Sequence, residues 1–221
     1  MSVNVYIDGF NLYHAMKDRK WAKYYWLDVN KFAVKALQIA KSKGFVQSGL
    51  NIQSTKFFTS RLTPLSKTGE EKAARQTTYL EALEANAHSR KIDFSIIYGQ
   101  FQFAEFECPK CGRKTRIPKE KMTDVNIATE LLVDAFYDKF LVAILISGDS
   151  DLTSPIVYIK EGFSEKRVIA GFPPDRWAKQ VAEACDGRYL LFDERIFRQS
   201  QLPQVVERAD GHKLIRPTSW H

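Results

Sequence analysis

Phe140-Leu141-Val142-Ala143-Ile144-Leu145-Ile146-Ser147-Gly148-Asp149-Ser150-Asp151 is the stretch whose reading decides the fold. From Phe140 to Ile146 it is a continuous apolar run rich in branched side chains, and a helical pattern from Leu152 to Gly162 follows. A short run that is apolar on both faces and flanked by helices reads as a central parallel strand with both sheet faces covered. Ligands in such sheets sit just beyond the carboxyl ends of the strands, and Asp149 and Asp151 stand at that end. Two carboxylates there raise each other's pKa unless a cation lies between them. Helix capping, for which Asp and Ser are preferred, accounts for either acid taken alone.

Outward from this strand the same arrangement recurs twice. Val3 to Ile7 alternates like a strand and runs straight into Asp8-Gly9-Phe10-Asn11. The glycine permits a tight exit, and Asn11 offers a neutral oxygen as ligand or cap. Asp124, preceded by Thr123, opens a helix predicted from Asp124 to Tyr137, apolar at Val125, Ile127, Ala128, Leu131, Leu132, Ala135 and Phe136. Three junctions leading into helices each carry an acid. Their convergence on one side of one sheet gathers Asp8, Asp124, Asp149 and Asp151, an oxygen-only set suited to Mg²⁺ or Mn²⁺ rather than zinc.

These blocks, Asp8-Gly9-Phe10-Asn11, Thr123-Asp124-Val125 and Ser147-Gly148-Asp149-Ser150-Asp151-Leu152, resemble the signature blocks of the NYN domain, the LabA-like branch of the PIN-like nucleases. The resemblance runs from Val3 to Phe192 with the blocks in the family's order. It implies a PIN-like α/β/α sandwich and metal-dependent cleavage of RNA that leaves a 5′-phosphate and a 3′-hydroxyl. Family members usually carry Lys-Gly before the middle helix, where this chain has Lys121-Met122.

The chain of 221 residues carries a formal charge of +7 and is 44% hydrophobic, enough for one core. Its longest apolar run falls well short of the ~20 residues a membrane span needs. A strand starts within a few residues of Met1, leaving no room for a signal peptide. The three cysteines do not make a secreted disulfide framework. The expectation is a cytoplasmic protein with no membrane partner. The basic balance agrees with a polyanion such as RNA without requiring one.

In chain order, Leu12 to Trp26 mixes bases with aromatics, and Asp28 caps a helix ending near Gly44. Trp26 reads as core, whereas Trp21 and Tyr24 read equally as core or as a stacking surface for unpaired bases. Leu50 to Ser60 is a strand and Glu70 to Ala87 a helix. Phe94 to Gly99 is a strand whose alternation continues through Phe101 and Phe103. Lys166 to Gly171 is a further strand, Asp175 caps the next helix, and Tyr189 to Phe192 is an edge strand. The connection rules make this a doubly wound, mostly parallel sheet, a three-layer α/β/α sandwich. Residues 1–198 form the domain, and 199–221 read as a C-terminal tail.

One segment differs in composition. Residues 105–123, an insertion before the Asp124 helix, carry Cys108-Pro109-Lys110-Cys111-Gly112 and six bases from Lys110 to Lys121 against one acid, Glu120. Lys110, Arg113, Lys114, Arg116, Lys119 and Lys121 are candidates to grip a phosphate backbone, which carries no sequence specificity. Cys-Pro-x-Cys-Gly is half of a four-ligand zinc site. Three readings stand: zinc completed by distant residues, zinc shared in a homodimer, or a turn without metal. Cys185 falls in a helical pattern and reads as a small buried residue.

No P-loop or dinucleotide fingerprint is present: Gly44 to Gly49 has P-loop spacing, but Leu50 follows. The expected function is hydrolysis of phosphodiester bonds in single-stranded RNA. Asp8, Asp124, Asp149 and Asp151 hold Mg²⁺ or Mn²⁺ in this reading, and Asn11 and Ser147 orient ligands or phosphate. An RNA-binding or regulatory module of the same fold, with a weak or silent metal site, is the alternative.

Overall fold

The computed structural model describes residues 2–64 and 67–220, with the side chains of 116–118 left out. The chain begins β1 (Val3–Asp8), α1 (Gly9–Asp18), α2 (Val29–Ser42), β2 (Ile52–Thr59), α3 (Lys67–Ser89) and β3 (Phe94–Tyr98). It continues β4 (Gln100–Glu107), β5 (Lys114–Lys121), α4 (Thr123–Phe136), β6 (Val142–Ile146), α5 (Thr153–Gly162) and β7 (Arg167–Phe172). Then come α6 (Lys179–Ala184), β8 (Gly187–Leu190), α7 (Glu194–Gln199), β9 (Val205–Glu207) and β10 (Lys213–Ile215).

Six strands pair in parallel in the order β3-β2-β1-β6-β7-β8. The chain winds outward from β1 to β3, then returns to the other side of β1 at β6. The order therefore reverses between β1 and β6, where an open α/β sheet leaves its ligand crevice. β6, formed by the apolar run of the sequence, is buried along its whole length.

Two apolar layers cover the sheet, as expected of an α/β/α sandwich. Tyr6, Phe58, Ala143 and Leu145 point to the side of α4, α5 and α6 and meet Ile127, Leu131, Ile156 and Val181. Val3, Val5, Ile7 and Ile144 point the other way, to Phe32, Leu37, Leu80, Leu83 and Phe197. This is the strict alternation of a strand, period two. Trp26 is fully buried, and Trp21 and Tyr24 pack on Phe197, so both serve the core. No helix among the described residues is long and apolar enough to cross a membrane.

Three expectations are corrected. The alternation from Phe94 through Phe103 is two strands, because the chain leaves the main sheet after Tyr98 and β4 pairs antiparallel with β5 as a projecting hairpin. Asp175 caps no helix: it sits at φ +58 and receives two hydrogen bonds from Arg19, at 2.7 and 2.8 Å, while α6 starts later with Ala178 before it. Residues after 199 are not a loose tail. β9 and β10 form a hairpin on α3, burying Leu202, Val206 and Leu214 in the core, with Trp220 against Tyr25, Trp26 and Tyr79. Each of these strands is three residues long and buries one side chain, too short for a period to be visible in sequence.

Candidate metal centre

Asp8 ends β1 and caps α1 in one stroke. Its Oδ1 accepts from the Asn11 backbone N–H at 2.9 Å, and its Oδ2 accepts from Ser147 Oγ at 2.8 Å. Ser147 Oγ in turn accepts from the Asp149 backbone N–H at 3.1 Å. Asn11 reaches across the same gap, its Oδ1 accepting from the Gly148 N–H at 3.1 Å. Asp149 Oδ1 accepts from the Asp151 N–H at 2.9 Å and opens a short 3₁₀ turn, Ser150–Leu152. Capping and clustering are thus the same geometry: the hydrogen bonds that satisfy each helix entrance also fix the direction of its carboxylate.

Gly148 is required here by close approach. A Cβ on it would lie 1.7 Å from the Arg176 carbonyl oxygen. That neighbouring loop is held by ion pairs from Arg19 to Asp175 and from Arg176 to Asp18, so it cannot simply retreat.

Asp124, in the first turn of α4, completes the site. Asp8, Asp124 and Asp149 each offer a carboxylate oxygen within 4.8 Å of the other two. Burial pushes the Asp8 carboxyl up to about 6, against the hydrogen bonds from Asn11 and Ser147, and Asp149 adds to the rise. Asp124 is also pushed up to about 6, first by burial and then by Asp149, Asp8, Glu120 and Asp151. Carboxylates crowded in this way are relieved by a hard cation, and an all-oxygen donor set fits Mg²⁺ or Mn²⁺.

α4 is itself anchored from below. Tyr6 Oη donates to Asp134 Oδ2 at 2.6 Å, and Lys56 Nζ lies 2.5 Å from the same oxygen and 2.6 Å from Glu130. These contacts tie the helix across β1 and β2 and so position Asp124.

Other expected site residues fall elsewhere. Asp151 is exposed and lies outside the three-oxygen group, although near enough to raise the Asp124 pKa. Glu120 was not singled out from sequence, yet it stands beside Asp124 and accepts from Ser60 Oγ at 3.0 Å and from the Thr123 N–H at 3.2 Å. Its signal was its position, the one acid of a basic segment, three residues before the Thr that opens a helix.

The basic segment is the β4–β5 hairpin, whose pairing runs from Gln100↔Lys121 to Glu107↔Lys114. Alternation divides its bases. Lys119 and Lys121 share a face with Gln102 and Gln100, whereas Lys114 shares the opposite face with Glu107 and Glu120. The Arg116 side chain lies outside the described residues. Lys110 and Arg113 belong to the tip together with Cys108 and Cys111. There the Cys108 thiol is lowered by hydrogen bonds from the backbone N–H groups of Lys110 and Cys111 and from the Cys111 side chain. Among the described residues no third His, Cys, Asp or Glu groups with the two cysteines. Cys185 is buried beyond α6, its thiol pushed up to about 12 by burial.

The NYN domain profile matches residues 2–193. Over 243 aligned positions the chain is 22% identical to 6-hydroxy-3-succinoylpyridine 3-monooxygenase HspA of Pseudomonas putida, covering 100% of this chain and 76% of that protein. Among solved structures, a protein of unknown function from Vibrio parahaemolyticus aligns over 87% of this chain and 94% of its own, with TM-score 0.47 and 13% identity.

Proposed function

The chain belongs to the NYN domain family, generally one of nucleases, and from that premise we propose that it hydrolyses phosphodiester bonds in single-stranded RNA with a divalent metal ion. The observation that carries the reading is the meeting of Asp8, Asp124 and Asp149 at the crevice between β1 and β6. Mg²⁺ or Mn²⁺ held by these acids would supply a water of lowered pKa and neutralise charge on the leaving oxygen. The protein's own part is positioning. Ser147 and the Asn11 N–H fix both oxygens of Asp8, and Asn11 Oδ1 locks the Gly148 turn so that Asp149 faces the other two acids. Asp151, at the rim, reaches the centre through water in this reading. Lys119 and Lys121 on one hairpin face, with Lys110 and Arg113 at the tip, steer the phosphate backbone, whereas Lys114 shares the other face with Glu107.

The donor set separates this reading from the oxygenation in the name of the Pseudomonas putida relative. Non-haem iron oxygenases typically use two histidines and one carboxylate, whereas three acids favour a hard cation such as Mg²⁺ or Mn²⁺. The test is cleavage of single-stranded RNA by purified protein with Mg²⁺ or Mn²⁺. Asp149→Asn, which removes charge but little volume, is expected to lower the rate by about a thousandfold, the scale of losing an essential electrostatic stabiliser, without changing the fold. Full metal-dependent activity in that variant would refute the assignment. RNA binding by the wild type with no metal-dependent product would favour the non-catalytic module instead. In the same protein, Lys119→Gln with Lys121→Gln should flatten the salt dependence of binding by about 0.7 per lost phosphate contact; an unchanged slope would take this hairpin face out of the substrate path.

A further inference from the structure

Directly behind the carboxylates, on the opposite face of the sheet, lies a cavity of about 420 Å³ between α1 and the start of α3. Its relation to the metal centre follows from register. Asp8 has the parity of Tyr6 and faces α4, whereas Gly9 and Phe10, the next two residues, line the cavity. Asp8 pairs with Phe58, so Thr59, also in the lining, stands level with Gly9 at the same carboxyl edge. The ridge Gly9-Phe10 therefore divides the two sites. Gly9 is held tight against the cavity wall, since a Cβ there would meet the Phe58 carbonyl oxygen at 2.6 Å and the Phe57 ring at 2.7 Å.

The walls are aromatic and their polar groups are largely spent. Tyr13 and Tyr25 lie 5.1 Å apart between centroids, and Trp220 stands edge-on to both Tyr25 and Tyr79. Tyr79 Oη donates to the Leu27 carbonyl, and both ends of the Gln76 amide are taken by the Ser60 carbonyl and the Leu62 N–H. Lys72 and Arg75, on the first turns of α3, add positive charge to the lining. Among the described residues Arg75 makes one ion pair, with Glu71 at 4.0 Å. Flat apolar walls select a planar ring, and paired cations select an anion attached to it.

We propose that this cavity binds the base of one nucleotide of the substrate strand, with its phosphate on Arg75 and Lys72 and the chain passing over the Gly9-Phe10 ridge towards the carboxylates. This deepens, and rests on, the reading of the centre as a phosphodiester hydrolase. Such a pocket gives a base preference beside the cleaved bond, which phosphate contacts cannot supply.

The experiment reads binding apart from cleavage. The full chain, with EDTA present, is titrated with AMP, UMP, adenosine and nicotinate, following tryptophan fluorescence and, in parallel, heat of binding. Saturable binding of at least one mononucleotide is expected. Tyr13→Ala should weaken it at least about fivefold, the low end of one base–aromatic stack, and Arg75→Gln should weaken AMP towards the level of adenosine. Trp220→Phe should remove most of the fluorescence response but leave the heat of binding. Asp149→Asn should bind nucleotide like the wild type. Nucleotide binding without any cleavage by the wild type would sink the hydrolase reading and leave the pocket standing. No nucleotide binding, binding indifferent to Tyr13 and Arg75, or binding of nicotinate alone would overturn the pocket proposal, even if RNA is cut.

Discussion

Asp124 is half-buried with Asp149, Asp8, Glu120 and Asp151 around it, and its carboxyl is pushed up to about 6, as is that of Asp8. An unfolded chain releases the same proton near 3.9. Between those values the folded protein binds more protons than the unfolded one. Stability from these groups is therefore highest below about pH 4 and falls as pH rises through about 6. At neutral pH the ionised cluster works against the fold, and a bound cation reverses that. Asp124→Asn in chelator at pH 7.5 is accordingly expected to raise Tm by about 2–4 °C, the shift ~1 kcal/mol gives in a domain of this size once exposure is discounted. The gain should shrink towards zero as pH is lowered to 4.5. Added Mg²⁺ should raise the wild-type Tm with concentration and leave the variant nearly unmoved. A variant that melts lower than wild type at pH 7.5 would remove the electrostatic account of the site.

At the scale of the element, the entrance to α4 explains the one departure from the family's sequence pattern. Met122 stands just before the helix at φ +79, the left-handed region, where the family usually has glycine. An L-residue pays ~1–2 kcal/mol for that conformation, against the ~0.5–1 kcal/mol glycine pays in chain entropy. The Met122 side chain is 46% exposed, so little packing is lost with it. Met122→Gly should therefore stabilise the protein by about 0.5–1 kcal/mol, read as a higher urea midpoint at unchanged m-value. A lower midpoint would mean that the methionine contributes packing that outweighs its backbone strain. The β4–β5 hairpin teaches the converse lesson. Six bases in the sequence read as candidates to grip a phosphate backbone, but antiparallel pairing sends alternate residues to opposite faces, putting Lys114 beside Glu107 and sparing only part of the charge for one partner.

For the whole molecule, the C-terminal hairpin is the largest revision. Trp26 Nε1 donates to the Pro203 carbonyl at 2.7 Å, Arg208 reaches Glu81 on α3, and Val206 and Leu214 are buried in the core. Deleting residues 204–221 should lower Tm by about 10 °C or more, since each buried aliphatic side chain contributes ~1.5–3 kcal/mol; a tail would be removed without effect on the melt. What the amino-acid sequence determined by itself is the sheet and the meeting of its acids. Apolar runs of strand length alternate with helical periods, and right-handed crossovers in one parallel sheet bring the carboxyl ends of β1 and β6 to the same edge. Asp8 and Asp149 follow directly from that local pattern. Only the tertiary structure decided that Glu120 stands by Asp124 while Asp151 lies at the rim, that three-residue strands close the C-terminus onto α3, and that a cavity opens behind Phe10. Each of these depends on contacts between residues far apart in the chain, and hydrophobic period, which reports only which face of one element is buried, carries no information about which other element covers it.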